Sequence, residues 1–173
     1  SGFTLSGLDL RDIYPTPTNP DHTHPGYGIK FESQSDLVAG TIHTVSDVDM
    51  SGLTVSRTGH YGVWIRPLGL TGSDDHKHDD FALESSTFSD TGGAGFVAVK
   101  ASNVRVEGNL FDGTGSSLDP RMWQRGSGLW AFDSKDVVIQ HNVVRNARGP
   151  LDSYGVHIDY NNENVVVQYN YSH

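Results

Sequence analysis

A short pattern of apolar and polar residues recurs along the chain. In the run Asp47–Val55, apolar residues occupy the second, fourth, seventh and ninth places, and Asp80–Phe88 repeats three of those four. Later runs follow the same template with a slip of one place at the seventh; they are Asn103–Phe111, Asp136–Val144 and Asn164–Tyr171. The beginning of the chain fits it with Phe3, Leu5, Leu8 and Leu10. Alternation in short runs that begin with Asp or Asn predicts short strands bounded by turns.

A second apolar strand, introduced by glycine, follows each run. These strands are Gly28–Phe31, Gly62–Ile65, Gly95–Val99, Gly128–Ala131 and Gly155–Ile158. A unit of at least two short strands that repeats in this way predicts an all-β fold, a right-handed, single-stranded parallel β-helix of about five rungs. An antiparallel sandwich also has many short strands, but it has no reason to keep one pattern in register. We therefore expect residues 1–173 to form a single β-helix domain.

The spacing of the repeats predicts where loops leave the coil. The starting positions of the runs differ by 33, 23, 33 and 28 residues, so the shortest interval approximates a bare rung. The surplus predicts insertions near residues 14–25, 70–79, 116–125 and 147–153. Insertions in solenoids tend to gather on one face and are often functional. Without an obvious polar cap at either end, we also expect a fragment of a longer β-helix, or ends that contact other chain segments or rungs of the same protein.

Composition and charge exclude several classes of function. The 20 glycines and the frequent Asn, Asp and Ser fit short strands joined by turns. The formal net charge of −9 argues against nucleic acid as a partner. No apolar run approaches the roughly 20 residues that a membrane helix needs, so no membrane partner is expected. The absence of cysteine excludes disulfides, thiolate metal sites and cysteine nucleophiles.

The last third of the chain carries a family resemblance. It rests on three segments, Gly126–Trp130, Asp152–Asp159 and Asn164–Asn170. They resemble the bacterial secreted right-handed β-helix proteins of the pectate-lyase-like superfamily. This resemblance implies an extracellular or periplasmic location and cleavage of a polysaccharide or oligosaccharide, by hydrolysis or by β-elimination. It does not choose between them, because the same architecture also hosts epimerases and phage tailspikes.

Alternation along the second strands predicts which side chains face outward. If Val63 and Ile65 point inward, Trp64 and Arg66 point outward, and the same reasoning turns His157 and Asp159 outward. Because rungs stack about 4.8 Å apart, these side chains form a ladder on one face. Aromatic faces can stack on sugar rings while charged groups hold hydroxyls or carboxylates. We predict a substrate-binding strip made of Trp64, Arg66, Lys100, Trp130, Arg125 and Tyr154, although outward polar residues can also be a plain solvated face.

The strongest candidate for catalysis lies at the end of this ladder. His157 and Asp159 share one face and lie next to a loop that carries Asp152. A glycoside hydrolase needs two carboxyl groups about 5 to 9.5 Å apart. We predict that Asp159, Asp152 and Asp133 supply such a pair, with His157 as orienter or proton carrier. Each of these acids can equally be a simple turn former.

Two other functions remain open at this stage. A polysaccharide lyase would need a base and a cation or Ca²⁺ beside a uronate carboxylate, for which Lys100, Arg66, Arg125 and Tyr154 are available. A non-catalytic glycan-binding or tailspike-like segment would scatter its charges rather than gather them in one groove.

The sequence also contains clustered Asp and His residues. They occur in the segment Asp74–Asp80 and at Asp21, His22 and His24. Such clusters can bind a divalent ion, but in loops they are more often solvated sequence. We therefore assign no metal ligands and expect no cofactor, with Ca²⁺ as the one candidate.

Overall fold

The chain winds into coils of three short strands. The structure is a computed structural model that describes residues 2–15, 26–70 and 76–173. The first coils contain β1 (Phe3–Ser6), β2 (Asp9–Ile13) and β3 (Ile29–Gln34), then β4 (Ser46–Ser51), β5 (Thr54–Thr58) and β6 (Val63–Leu68). The next contain β7 (His78–Glu84), β8 (Thr87–Ser89) and β9 (Phe96–Val99), then β10 (Ala101–Glu107), β11 (Leu110–Asp112) and β12 (Leu129–Phe132). The last strands are β13 (Lys135–Gln140), β14 (Val143–Arg145), β15 (Val156–Ile158), β16 (Glu163–Gln168) and β17 (Tyr171–Ser172).

Equivalent strands of successive coils pair in parallel and build three sheets. Sheet A contains β1, β4, β7, β10, β13 and β16; sheet B contains β2, β5, β8, β11, β14 and β17; sheet C contains β3, β6, β9, β12 and β15. Among the described residues, five coils thus have all three strands and a sixth has two. This confirms the predicted right-handed parallel β-helix. In the described part of the chain, no helix is long and apolar enough to cross a membrane.

Each nine-residue run of the sequence template is two strands rather than one. The chain bends from sheet A to sheet B at the sixth place, where Gly52 and Gly108 have φ values of 59° and 67°. The residue that opens each run also has a left-handed backbone conformation; Asp47 and Asn103 have φ values of 56° and 52°. Asn and Asp tolerate this region better than other side chains with a Cβ. The Asx residue at the start of each run is therefore a backbone requirement.

The slip that the sequence suggests at the seventh place is wrong. That place is filled by one inward column of mainly polar residues, Leu53, Ser86, Asn109, Asn142 and Asn170. The side-chain oxygen of Asn142 accepts the backbone N–H of Asn109 at 3.0 Å, and that of Asn170 accepts the N–H of Asn142 at 2.9 Å. The column binds backbone N–H groups at the bend, so it does not need apolar side chains.

The core fills the inside of the coil, and glycines let it close. Inward side chains from all three sheets form one cluster, in which Phe88 and Phe111 stack with their centroids 5.0 Å apart. A Cβ on Gly95 would lie 2.3 Å from Cδ1 of Phe111, and one on Gly62 would lie 2.6 Å from Cδ1 of Phe88. The glycine before each sheet C strand is thus needed because the sheet B core residues press against that backbone.

Long connections gather where sheet B leads into sheet C. Residues 116–125 lie between β11 and β12, and residues 147–153 lie between β14 and β15. Residues 14 and 15 follow β2 at the same corner, and the rest of that predicted insertion, 16–25, lies outside the described residues. The predicted insertion 70–79 runs too far, because β7 begins at His78, and 71–75 are not among the described residues. A further connection between β3 and β4, with an antiparallel bridge from Asp36 to Thr41, was not predicted.

Candidate functional site

The outward side chains of sheet C form two columns that run across the coils. The register of the strands aligns the first column, which consists of Lys30, Trp64, Val97, Trp130 and His157. Two residues further along each strand is the second column, which consists of Glu32, Arg66, Val99, Phe132 and Asp159. The structure therefore brings Trp64, Trp130 and His157 onto one face with Arg66 and Asp159.

This face carries an apolar cluster outside the coil. Tyr61, Ala94, Val97 and Val99 are buried there, although none belongs to the core inside the coil. The aromatic side chains packed against them are Tyr27, Trp64, Trp123, Trp130 and Phe132. A hollow of about 190 Å³ opens among them, lined by Tyr61, Trp64, Arg66, Val97, Val99, Trp130, Phe132 and Asp159. An apolar surface hollow with a few polar groups is typical of a small-ligand site.

Two stacked pairs of rings form the walls of the hollow. Trp64 stacks on Tyr61 with a centroid distance of 4.7 Å and an interplanar angle of 12°. Trp130 stacks on His157 at 4.6 Å and 19°. Val97 lies between the two tryptophans in the first column and is buried, with only 2% of it exposed. The rings are held by neighbouring rings and are thus positioned before any ligand binds.

Asp159 is the acidic residue that lines the hollow. Its Oδ2 accepts a hydrogen bond from Nε1 of Trp130 at 3.1 Å, and its Oδ1 accepts the backbone N–H of Tyr160 at 2.8 Å. Nε2 of His157 is 3.9 Å from the same Oδ2. Trp130 therefore orients the carboxylate while also forming part of the aromatic wall.

His157 is a half-buried imidazole next to this carboxylate. Burial lowers the pKa of His157, and Arg125 lowers it further, while Asp159 partly opposes both. Its Nδ1 is buried without a hydrogen-bond partner among the described residues. The ring of Tyr154 meets it edge-on at 4.9 Å, although Tyr154 itself is 56% exposed. At neutral pH this His is neutral and can accept or relay a proton.

Arg125 and Asp152 lie at the loop side of the same wall. The guanidinium of Arg125 forms a salt bridge with the carboxylate of Asp152. It also lies 6.0 Å from the ring centroid of Trp130 and 5.3 Å from that of Trp123. Asp152 and Asp159 thus bracket β15, one held by Arg125 and the other by Trp130.

Lys100 and Asp133 do not line the hollow, although Lys100 was predicted to belong to the substrate-binding strip. Val97 and Val99 take the two outward places of β9, so Lys100 falls at the following bend, with φ of 49°. Lys100 is only 4% exposed, and its Nζ lies 3.5 Å from Oδ2 of Asp133. Asp133 also lies 3.5 Å from Nζ of Lys77. These residues form a buried ion cluster in which two lysines engage the carboxylate of Asp133.

Several residues of the site were missed by sequence reasoning. Tyr61 and Tyr27 each precede the glycine that opens a sheet C strand, as Tyr154 does, so the recurring Tyr-Gly pair was a usable signal. Trp123 lies in a predicted loop, and its stacking on His60 at 3.9 Å depends on how that loop folds back. No sequence pattern predicts the contact between Trp123 and His60.

The metal candidates do not gather into a site within the described residues. No group of three or more His, Asp or Glu side chains with metal-binding geometry occurs among them. Asp74, Asp75, Asp21, His22 and His24 lie outside the described part of the chain. His78 is fully buried inside the coil, where its Nδ1 accepts the backbone N–H of Val45 at 2.8 Å.

The chain resembles one solved structure in fold and one protein family in sequence. The crystal structure of a native lacto-N-biosidase of family GH136 from Eubacterium ramulus matches with a TM-score of 0.61 and 14% identity. The match covers 98% of this chain but only 37% of that one. No match was found among curated proteins. Residues 22–173 match the family described as the right-handed beta helix region. The chain therefore belongs to the right-handed β-helix family.

Proposed function

We propose that this β-helix binds a glycan on sheet C and cleaves it by hydrolysis. The proposal depends on one observation, the aromatic hollow between Trp64 and Trp130 with the carboxylate of Asp159 at its rim. Sugar rings offer apolar faces to aromatic side chains and hydroxyls to charged groups. The fold similarity to a lacto-N-biosidase supports a carbohydrate-active role. We further propose an extracellular polysaccharide or oligosaccharide as substrate.

Asp159 and Asp152 are the proposed acid and base. Hydrolysis of a glycosidic bond needs one carboxyl group to protonate the leaving oxygen and another to activate water or attack the sugar. Asp159 lines the hollow, and Asp152 lies at the other end of β15. His157 lies between them in the chain, and its Nε2 is 3.9 Å from Oδ2 of Asp159, where it can orient that carboxylate or relay a proton. The proposed reaction requires no bound metal.

The positions of the cations favour hydrolysis over β-elimination. Lys100 is buried against Asp133, and Arg125 is paired with Asp152. Both were candidates for neutralising a uronate carboxylate, and both already have an acidic partner. Arg66 lines the hollow and makes no ion pair with the described residues; its guanidinium lies 5.8 Å from the ring centroid of Trp64. The one carboxylate that lines the same hollow and could act as a base is Asp159, the proposed acid–base residue of hydrolysis.

Substitution of the two acids tests the reaction. We expect Asp159→Asn and Asp152→Asn each to lower kcat by at least about 100-fold, because each removes a proton-transfer group. The assay measures reducing ends and unsaturated uronate absorbance on a panel of oligosaccharides. Asp49→Asn is the matched control, since Asp49 is exposed on the outer face of sheet A.

The panel separates the proposed function from its competitors. Cleavage that both acid variants retain at full rate would remove the assignment of the catalytic pair. An unsaturated product would replace hydrolysis by β-elimination. Binding without cleavage by the unaltered protein would identify a non-catalytic glycan-binding helix.

A further inference from the structure

We propose that the hollow holds a single pyranose ring, inserted edge-on between Trp64 and Trp130. The sugar would occupy the place in the first column where Val97 provides no aromatic ring. The inference rests on the proposed function and specifies its ligand. It predicts recognition of one sugar unit, at a chain end or on a branch, rather than of a glycan that lies flat across several coils.

The spacing of the coils leaves room for one ring. Adjacent parallel strands lie about 4.8 Å apart. The rings of Trp130 and His157 lie on adjacent coils, and their centroids are 4.6 Å apart, which is close to the distance between the strands. Trp64 and Trp130 are two coils apart in the same column, so their strands lie about 9.5 Å apart. That separation is two stacking steps, so one flat ring between them would contact both tryptophans.

The residues at the intervening coil are too small to fill the gap. Val97 occupies the first column there, and its branched side chain ends close to the sheet. In the column just before the glycines, Ala94 takes the place that Tyr61 has one coil earlier. The third coil therefore adds no ring at this place, since its Val97 and Ala94 are small and buried, while the coils on both sides provide aromatic walls.

The polar groups lie where the edge of a sugar ring would meet them. Arg66 and Asp159 both belong to the second column, with Val99 and Phe132 between them. Burial raises the pKa of the Tyr61 phenol, so its hydroxyl stays protonated and can donate. The hollow of about 190 Å³ is also smaller than the roughly 300–1,000 Å³ of pockets for larger ligands.

Filling the gap with a ring tests the inference. Val97→Trp would place a ring between Trp64 and Trp130, so we expect at least a 50-fold loss of glycan affinity in a variant that circular dichroism shows to be folded. The probes are an array of immobilised glucosides, galactosides, N-acetylhexosaminides and uronides, followed by tryptophan-fluorescence titration with the positive oligosaccharides. Val138→Trp, outward on sheet A, is the matched control and should bind like the unaltered protein.

A glycan that binds flat across several coils predicts the opposite change in affinity for Val97→Trp. A glycan that lies flat along the columns would gain a stacking surface from Val97→Trp, so retained or tighter binding would overturn the inference. A second measurement needs no variant. Affinity that rises more than about tenfold from the disaccharide to the tetrasaccharide would also overturn it, whereas competition by the single sugar unit would support it. If the unaltered protein binds no glycan, the proposed function itself fails.

Discussion

At the scale of single residues, His78 links stability to pH. It is fully buried at the start of β7, where its Nδ1 accepts the backbone N–H of Val45 at 2.8 Å. Burial lowers the pKa of His78 from 6.5 to about 4. Because the unfolded chain binds this proton more readily, protonation favours unfolding.

We expect the contribution of His78 to stability to be complete above pH 6.5 and to be lost as the pH falls toward 4. A shift of this size corresponds to roughly 3 kcal/mol in the free energy of unfolding. Urea denaturation at several pH values measures it. His78→Asn should keep an acceptor and remove this slope, since the equivalent Asn162 accepts the N–H of Ser134 at 2.9 Å. The same slope in both proteins would contradict the assignment.

At the scale of elements, the bend between sheets A and B depends on buried Asn side chains. Nδ2 of Asn109 donates to the carbonyl of Leu83 at 2.9 Å, while its Oδ1 accepts the N–H of Ser86 at 2.9 Å. Asn109→Ala would leave both groups buried without these partners, each at about 1–3 kcal/mol. We expect a loss of about 3 kcal/mol in the free energy of unfolding, measured by urea denaturation.

Two variants check that the effect comes from the hydrogen bonds. Asn109→Ser should recover part of the loss, because Ser86 fills the equivalent place and its Oγ accepts the N–H of Leu53 at 3.0 Å. Gln140→Ala, on the outer face of sheet A, should cost less than about 1 kcal/mol. Equal losses for all three would mean that the column contributes no more than a surface contact.

Strands and bends were predictable from the sequence where a single physical effect, such as burial or close backbone approach, determines which residue occupies a position. The alternation of Val104 and Val106 reports directly which face is buried, and the glycine before each sheet C strand reports a close approach of the core. The seventh place was not predictable from hydrophobicity, because the side chain of Asn142 is buried for its hydrogen bonds with the backbone of Asn109 and Val106. A polar residue inside a coil looks like a surface residue until its neighbours are known.

At the scale of the whole molecule, the sequence located the face of the site but not its shape. Period-2 alternation placed Trp64, His157 and Asp159 on one side of sheet C, since strand geometry alone determines that. It misplaced Lys100, because β9 has both outward places filled by valine and the lysine falls at the next bend. The hollow depends on which coil lacks a ring, which only the three-dimensional register reveals.

The most direct test of the central claim is a crystal structure of the protein with an oligosaccharide that binds on the array. We predict one sugar ring between Trp64 and Trp130, with its hydroxyls near Arg66 and Asp159. Density for the sugar on sheet A or sheet B, or outside the hollow on sheet C, would contradict this account.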